Sequence, residues 1–360
     1  MIHRSLAAAA VLAGAVAVVA PRAAEPGPAG CAPDGGLSYI CGPTAPEDMV
    51  IVPGTDWVIA GGLARDGAPG GLRLVDRRAK TWTALDPLAD LAGARDAERF
   101  PGCAAPPQAG FSAHGLALRR AGAGRFTLYI VAHGARETVE VFTFYPRARK
   151  LAWVGCAPLP AGDAANSVAV FSDGTILATV LYRGGTTPTD SFAGRPTGVV
   201  LESRPGQGGF TPIAGTELPS NNGVEVGADD QHFYVVSTGL KQVVEFARNG
   251  PPGARRRAQI VGFTPDNVRM APEGVLLLGG MIDNQPECGG TPAPVNGRLN
   301  FTCHRGYKVS AVDPRSMALR DLAQGPRNES FSGTTTALHV GDELWLASLM
   351  GDRIAWRPWP

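Results

Sequence analysis

An all-β chain folded as a six-bladed β-propeller around a central channel is predicted by three observations. Six times a polar residue opens a short apolar-alternating stretch, which turns and runs into a second apolar strand. Successive copies begin about 44 to 70 residues apart, the length of one four-stranded blade with variable loops. Short strands alternate with turn signals throughout, and no 3.6-residue apolar period persists over a useful length. Two β-sandwich domains are the alternative architecture.

Taken in order, the chain opens with His3 and Arg4 before LAAAAVLAGAVAVVA, a run too short and Ala-rich for a membrane span. Residues 1–24 read as an export signal, with cleavage after Ala17 or as late as Ala24 and an uncleaved anchor as the alternative, so the mature protein is expected to be periplasmic or secreted. Residues 25–46 form a Pro/Gly-rich lead-in, and 47–360 form the propeller.

The inner hairpins begin EDMVI (Glu47), HGLAL (His114), NSVAV (Asn166), NGVEV (Asn222), DNVRM (Asp266) and TTALH (Thr335). Outer hairpins follow at 72–85, 139–154, 198–213, 243–250 and 307–322. The segment 352–358 supplies one closing strand that needs a partner, for which the lead-in near Tyr39 is the candidate. LAGARDAERF (91–100) reads as a helical turn or two, and ArgArgArg at 255–257 as a solvated loop. Loops at 86–110, 183–197 and 281–306 build the channel rim.

Apolar residues make up 44% of the chain and charged residues 18%, enough for a substantial core. A net charge of +1 gives no footprint for a nucleic-acid partner. The six cysteines suit disulfides in an exported protein. Sequence proximity pairs Cys31 with Cys41 and Cys288 with Cys303, leaving Cys103 for Cys156, out of fifteen pairings. No cysteine pair has zinc-ligand spacing with histidine.

The chemistry lies in the openings of the inner strands. In a propeller these strands run in one direction, so their first residues converge at one end of the channel. Glu47, Asn166, Asn222 and Asp266, with Asn267 beside it, make a hard oxygen set with two carboxylates, whose charge balances Ca²⁺ better than the water-rich octahedron of Mg²⁺. Asn-Gly alone is more often a turn; recurrence in register is what favours ligands. His114 shares that register, and His133 ends its partner strand, a pairing suited to general-base work. His232, His304 and His339 have no such register. A nucleophile elbow and a phosphate-binding loop are both absent.

GluAsp before an apolar strand, FSAHGL at 111–116, VAHGARETVEVFTF at 131–144, then NSVAV, NNGVEV and PDNVRM in order resemble the paraoxonase/arylesterase family of calcium-dependent lactonases. The chain is more distantly similar to gluconolactonase/regucalcin and strictosidine synthase-like propellers. The resemblance implies a catalytic calcium on Glu47, Asn166, Asn222, Asp266 and Asn267, and a histidine dyad of His114 and His133. It implies a second, structural calcium on Asp48, the Leu116 carbonyl and an aspartate whose place is taken here by Ser167, with loss of a charge. The family's terminal disulfide has no counterpart, because no cysteine follows Cys303.

The leading expectation is hydrolysis of a small-molecule lactone or carboxylic (aryl) ester. A sugar lactonase of gluconolactonase type is the second, and a non-catalytic exported calcium-binding propeller the third. Calcium-dependent turnover separates the first two from the last.

Overall fold

The computed structural model describes residues 30–360 apart from 66, 92–94, 108–109, 293, 296–297 and 300–302. The expected export signal lies outside the described residues. Six four-stranded antiparallel sheets follow one another along the chain at 49–85, 111–158, 165–212, 221–259, 263–325 and 334–358. In the first five, the strands run from innermost to outermost in chain order. The chain is therefore an all-β six-bladed propeller.

Both faces of the central strands are buried, so these read as nearly continuous apolar runs: all five residues of Ile176–Val180 are buried, as are five of six in Glu343–Ser348. Leu74, Leu116, Ile130, Val141 and Val168, from three successive blades, share one apolar cluster. Trp153 and Trp345 are among the largest side chains wholly removed from water.

The sixth sheet is completed from the other end of the chain. Ser38–Cys41 pairs antiparallel with the final strand, setting Tyr39 opposite Ala355. Part of the lead-in is thus the outermost strand of the last blade, closing the ring by backbone hydrogen bonds. The described disulfides are Cys31–Cys41, Cys103–Cys156 and Cys288–Cys303, the pairing that proximity favoured.

Two local expectations are corrected. Among the described residues of 91–100 there is no helix; a single turn is closed by Phe100 N donating to the Asp96 carbonyl at 3.0 Å. Of the described residues there only Phe100 is buried, and 95–98 are exposed, so a longer helix would have no face to pack against the blades. Arg256–Gln259 is the outermost strand of the fourth blade rather than a loop. The guanidinium of Arg256 pairs with buried Glu245, and the arginines keep this edge strand charged, which discourages pairing with other chains. No helix among the described residues is long and apolar enough to cross a membrane.

Candidate active site

Five of the six innermost strands carry a register shift at one structural position: between Ala113 and Leu116, Ala165 and Val168, Asn221 and Val224, Pro265 and Val268, and Thr334 and Ala337. Each time three residue steps on the inner strand face two on its partner, the extra residue of a β-bulge. The displaced pairs are His114-Gly115, Asn166-Ser167, Asn222-Gly223, Asp266-Asn267 and Thr335-Thr336. The bulge is the device that re-aims the opening side chains.

It also explains the His-Gly and Asn-Gly dipeptides. A Cβ on Gly115 would lie 2.6 Å from the Asn166 carbonyl oxygen, and one on Gly223 2.6 Å from the Val268 nitrogen. Glycine is needed there because the neighbouring blade's backbone approaches, not because the chain turns.

Glu47, His114, Asn166, Asn222 and Asp266 line a single cavity of about 420 Å³ at one end of the channel. Asn267 joins them through its amide, which donates to Glu47 Oε1 at 2.8 Å. Asn222 is held by donation to Thr238 Oγ1 at 3.0 Å. Thr335, with no chemistry expected of it, donates to the Glu47 carbonyl at 2.5 Å and Thr336 to the same oxygen at 3.1 Å, so the sixth blade fixes the backbone of the first.

These bonds leave Glu47 Oε2, Asn166 Oδ1, Asn222 Oδ1 and Asn267 Oδ1 buried without a hydrogen-bond donor. A buried unmatched acceptor costs about 1–3 kcal/mol, and four of them fit a hard cation rather than a water-free core. Among the described residues, no three His, Cys, Asp or Glu side chains gather as a metal cluster. Here much of the donor set is amide oxygen, the chemistry of a calcium site.

Electrostatics agree. Burial carries the Glu47 carboxyl well above the ordinary range, with the charges of Asp266 and then Asp48 adding to it. Asp266 is pushed up to about 7 by burial, which outweighs the hydrogen bond from Asn222, with Asp48 raising it further. Two carboxyls that resist ionisation side by side accept a dication readily.

His114 Nδ1 lies 2.9 Å from His133 Nε2, and His133 Nδ1 lies 2.6 Å from Glu137 Oε2. One tautomer satisfies the chain: His133 donates from Nδ1 to Glu137, and His114 donates from Nδ1 to His133. The His114 Nε2 lone pair then faces the cavity, 3.6 Å from Glu47 Oε2 and 3.4 Å from the Asn166 amide nitrogen. Burial, then His133, brings the His114 pKa down to about 3, so the ring is neutral at pH 7 and available as an acceptor. Glu137 carries little signal in the sequence: it stands in the turn beyond the strand end, four residues after His133.

The remaining cavity wall is largely apolar: Leu63, Leu181, Pro188, Met281 and Leu349, with the Tyr182, Ser220, Thr238 and Thr264 hydroxyls. Pro188 is delivered by a short helix, Pro188–Phe192, started by a Thr187–Asp190 capping box. Ser220 donates to the Tyr182 hydroxyl at 3.2 Å and lies 2.7 Å from Ser191 Oγ, tying the rim loop to the fourth blade. Tyr182, like Glu137, escaped the sequence reading.

The residues assigned to a second calcium are close together, but an arginine stands among them. Arg269 donates to both Asp48 carboxylate oxygens, Nε to Oδ1 at 3.2 Å and Nη2 to Oδ2, and donates to the Leu116 carbonyl at 2.9 Å. Burial opposes its charge, but Asp48, Glu225 and Glu47 outweigh burial and raise its pKa above the usual value. Ser167 Oγ accepts from Val224 N at 3.3 Å. This set does not fit a second metal ion.

No protein-family model matches the sequence, and no curated protein matches it. Solved structures share its fold. A luciferin-regenerating enzyme superposes with a TM-score of 0.54 at 10% identity, over 90% of this chain and 96% of its own. Regucalcin from Agrobacterium tumefaciens, a calcium-binding protein, gives 0.52 at 11% identity, over 88% and 91%. A gluconolactonase from Xanthomonas campestris gives 0.52 at 14%, over 90% and 89%. At these identities the likeness is one of fold.

Proposed function

We propose that this chain is an exported, calcium-dependent lactone hydrolase. The observation that carries it is the meeting, in one cavity, of three residues with unmatched buried oxygens, Glu47, Asn166 and Asn222, with an acceptor-ready imidazole, while a fourth such oxygen belongs to Asn267, bonded to Glu47. Glu47, Asn166, Asn222, Asp266 and Asn267 would hold the calcium, which when bound supplies Lewis-acid polarisation of the substrate carbonyl. His114 Nε2 takes the proton of the attacking water as its oxygen bonds to the carbonyl carbon; the acyl C–O bond of the lactone then breaks, and the released alkoxide takes a proton back to give the hydroxy acid. An imidazole with so low a pKa accepts that proton only if the charge is passed on, and His133 with Glu137 carries it outward to a half-exposed carboxylate. Tyr182 lines the same cavity, and its hydroxyl accepts from Ser220, which leaves its own proton for a substrate oxygen. Three disulfides support the exported setting.

The gluconolactonase among the fold neighbours favours a sugar lactone. The aliphatic wall favours a less polar lactone or an ester, because a polyhydroxylated ring needs a polar partner for each hydroxyl. Hydrolysis of glucono-δ-lactone, an unsubstituted alkyl δ-lactone and phenyl acetate, measured before chelation, after it and with calcium restored, decides between them. Chelator-resistant turnover defeats the metal assignment. Tight calcium binding without turnover of any of the three points to a binding propeller instead.

A further inference from the structure

We infer that Arg269 is this protein's internal replacement for a structural cation, closing the centre of the channel with a guanidinium. Asp48 belongs to the first blade, Leu116 to the second and Arg269 to the fifth, and both charged residues are buried. Asp48 Oδ1 accepts from Met49 N at 2.8 Å, Thr336 Oγ1 at 3.2 Å and Arg269 Nε; Oδ2 accepts from Leu116 N at 2.7 Å and Arg269 Nη2. Met49 N, Leu116 N and the two Arg269 nitrogens alone take up the roughly four lone-pair directions of the carboxylate, the Thr336 hydroxyl proton being shared with the Glu47 carbonyl, so none is left directed at a metal. The Leu116 carbonyl, the other oxygen a cation would need, is also taken by Arg269.

Charge leads to the same place. Arg269 and Asp48 neutralise each other, and Glu225 Oε2 lies 3.9 Å from Arg269 Nη1. A calcium ion added here would sit against a buried guanidinium with Ser167 as a neutral neighbour, and would be repelled. The guanidinium instead joins three blades at the axis through oriented hydrogen bonds, and a second cavity of about 440 Å³ lies on its far side. A dication is exchangeable; a covalently attached arginine is not. The centre of this propeller therefore keeps its cation in the presence of chelators.

The test is calcium stoichiometry and unfolding midpoint for the full chain and for Arg269→Ser. Removing the guanidinium exposes the Asp48 carboxylate and the Leu116 carbonyl to a cation, so the variant is expected to bind one calcium more than the parent. Its midpoint in chelator should fall by roughly 10 °C, because breaking a buried pair strands a charge, and should largely recover in millimolar calcium. The increment of one ion is independent of whether the channel-mouth site binds calcium, so failure of the proposed function would not mimic failure here. Two ions on the parent, or no extra ion and no calcium rescue in the variant, overturns the inference. If Arg269→Ser yields no folded protein even in calcium, the parent's stoichiometry decides: one ion or none supports it, two refutes it. The double variant Asp48→Asn with Arg269→Met removes both charges and should fold without gaining an ion.

Discussion

The imidazole of His114 is useful because of what lies behind it. Its Nδ1 proton is committed to His133 and its Nε2 lone pair faces the cavity beside the Asn166 amide, so replacing it by glutamine removes the proton-accepting base while leaving the proposed oxygen ligands in place. His114→Gln should lower kcat by roughly 10²–10⁴-fold and leave calcium affinity nearly unchanged; full activity in that variant would exclude the base assignment without touching the metal. Glu137→Gln tests the relay. It keeps an acceptor for His133 Nδ1 but no counter-charge, so kcat should fall about tenfold or more, with the acid limb of its pH profile moved. A loss of stability with an unaltered pH profile would assign Glu137 a structural role only. The relay was legible only in part: His114 through register and His133 through its place at the end of the partner strand, whereas Glu137 sits in the turn that follows.

The bulged inner strand is the element that turns a repeat into a site. Period-two alternation fixes which side chains face the neighbouring blades, but the extra residue is invisible to it, because the apolar pattern resumes after the shift. The sequence therefore exposed the proposed ligand positions without the mechanism that aims them. It also offered Asn-Gly as a turn, where the structure has a glycine pressed against the next blade. Gly223→Ala would set a methyl 2.6 Å from Val268 N and 2.7 Å from Asn267 Cα, both backbone atoms that cannot step aside. Overpacking of this kind costs about 1–3 kcal/mol, and here it displaces two proposed ligands at once. A thermal midpoint lowered by several degrees together with weakened calcium binding is the expected pair of results; unchanged binding in a destabilised protein would detach the bulge from the site. Arg269 was illegible for a different reason: its partner Asp48 is 221 residues away, and no local pattern marks a long-range buried pair.

Over the whole molecule, the metal-free channel mouth works against the fold at neutral pH, and the proposed calcium would reverse the sign of that effect. Unfolded, aspartate and glutamate ionise near pH 4. Folded without metal, Asp266 is pushed up to about 7 and Glu47 is also raised, so between those limits the native state holds protons that the unfolded chain has released. Stability then falls as pH rises from about 4 through about 7, the direction linkage requires when the native state binds more protons. Calcium competes for the same carboxylates. Its affinity should climb over that interval, and binding near pH 6 should release protons detectable as a dependence of the binding heat on buffer ionisation. Thermal unfolding of metal-stripped protein at pH 5 and pH 8, each with and without calcium, measures the combined effect. The calcium-induced rise in midpoint should be several degrees larger at pH 8 than at pH 5, while the metal-free midpoint is lower at pH 8. Equal increments at the two pH values would show that Glu47 and Asp266 are not the groups the ion displaces protons from, and the ligand set would have to be sought elsewhere in the channel.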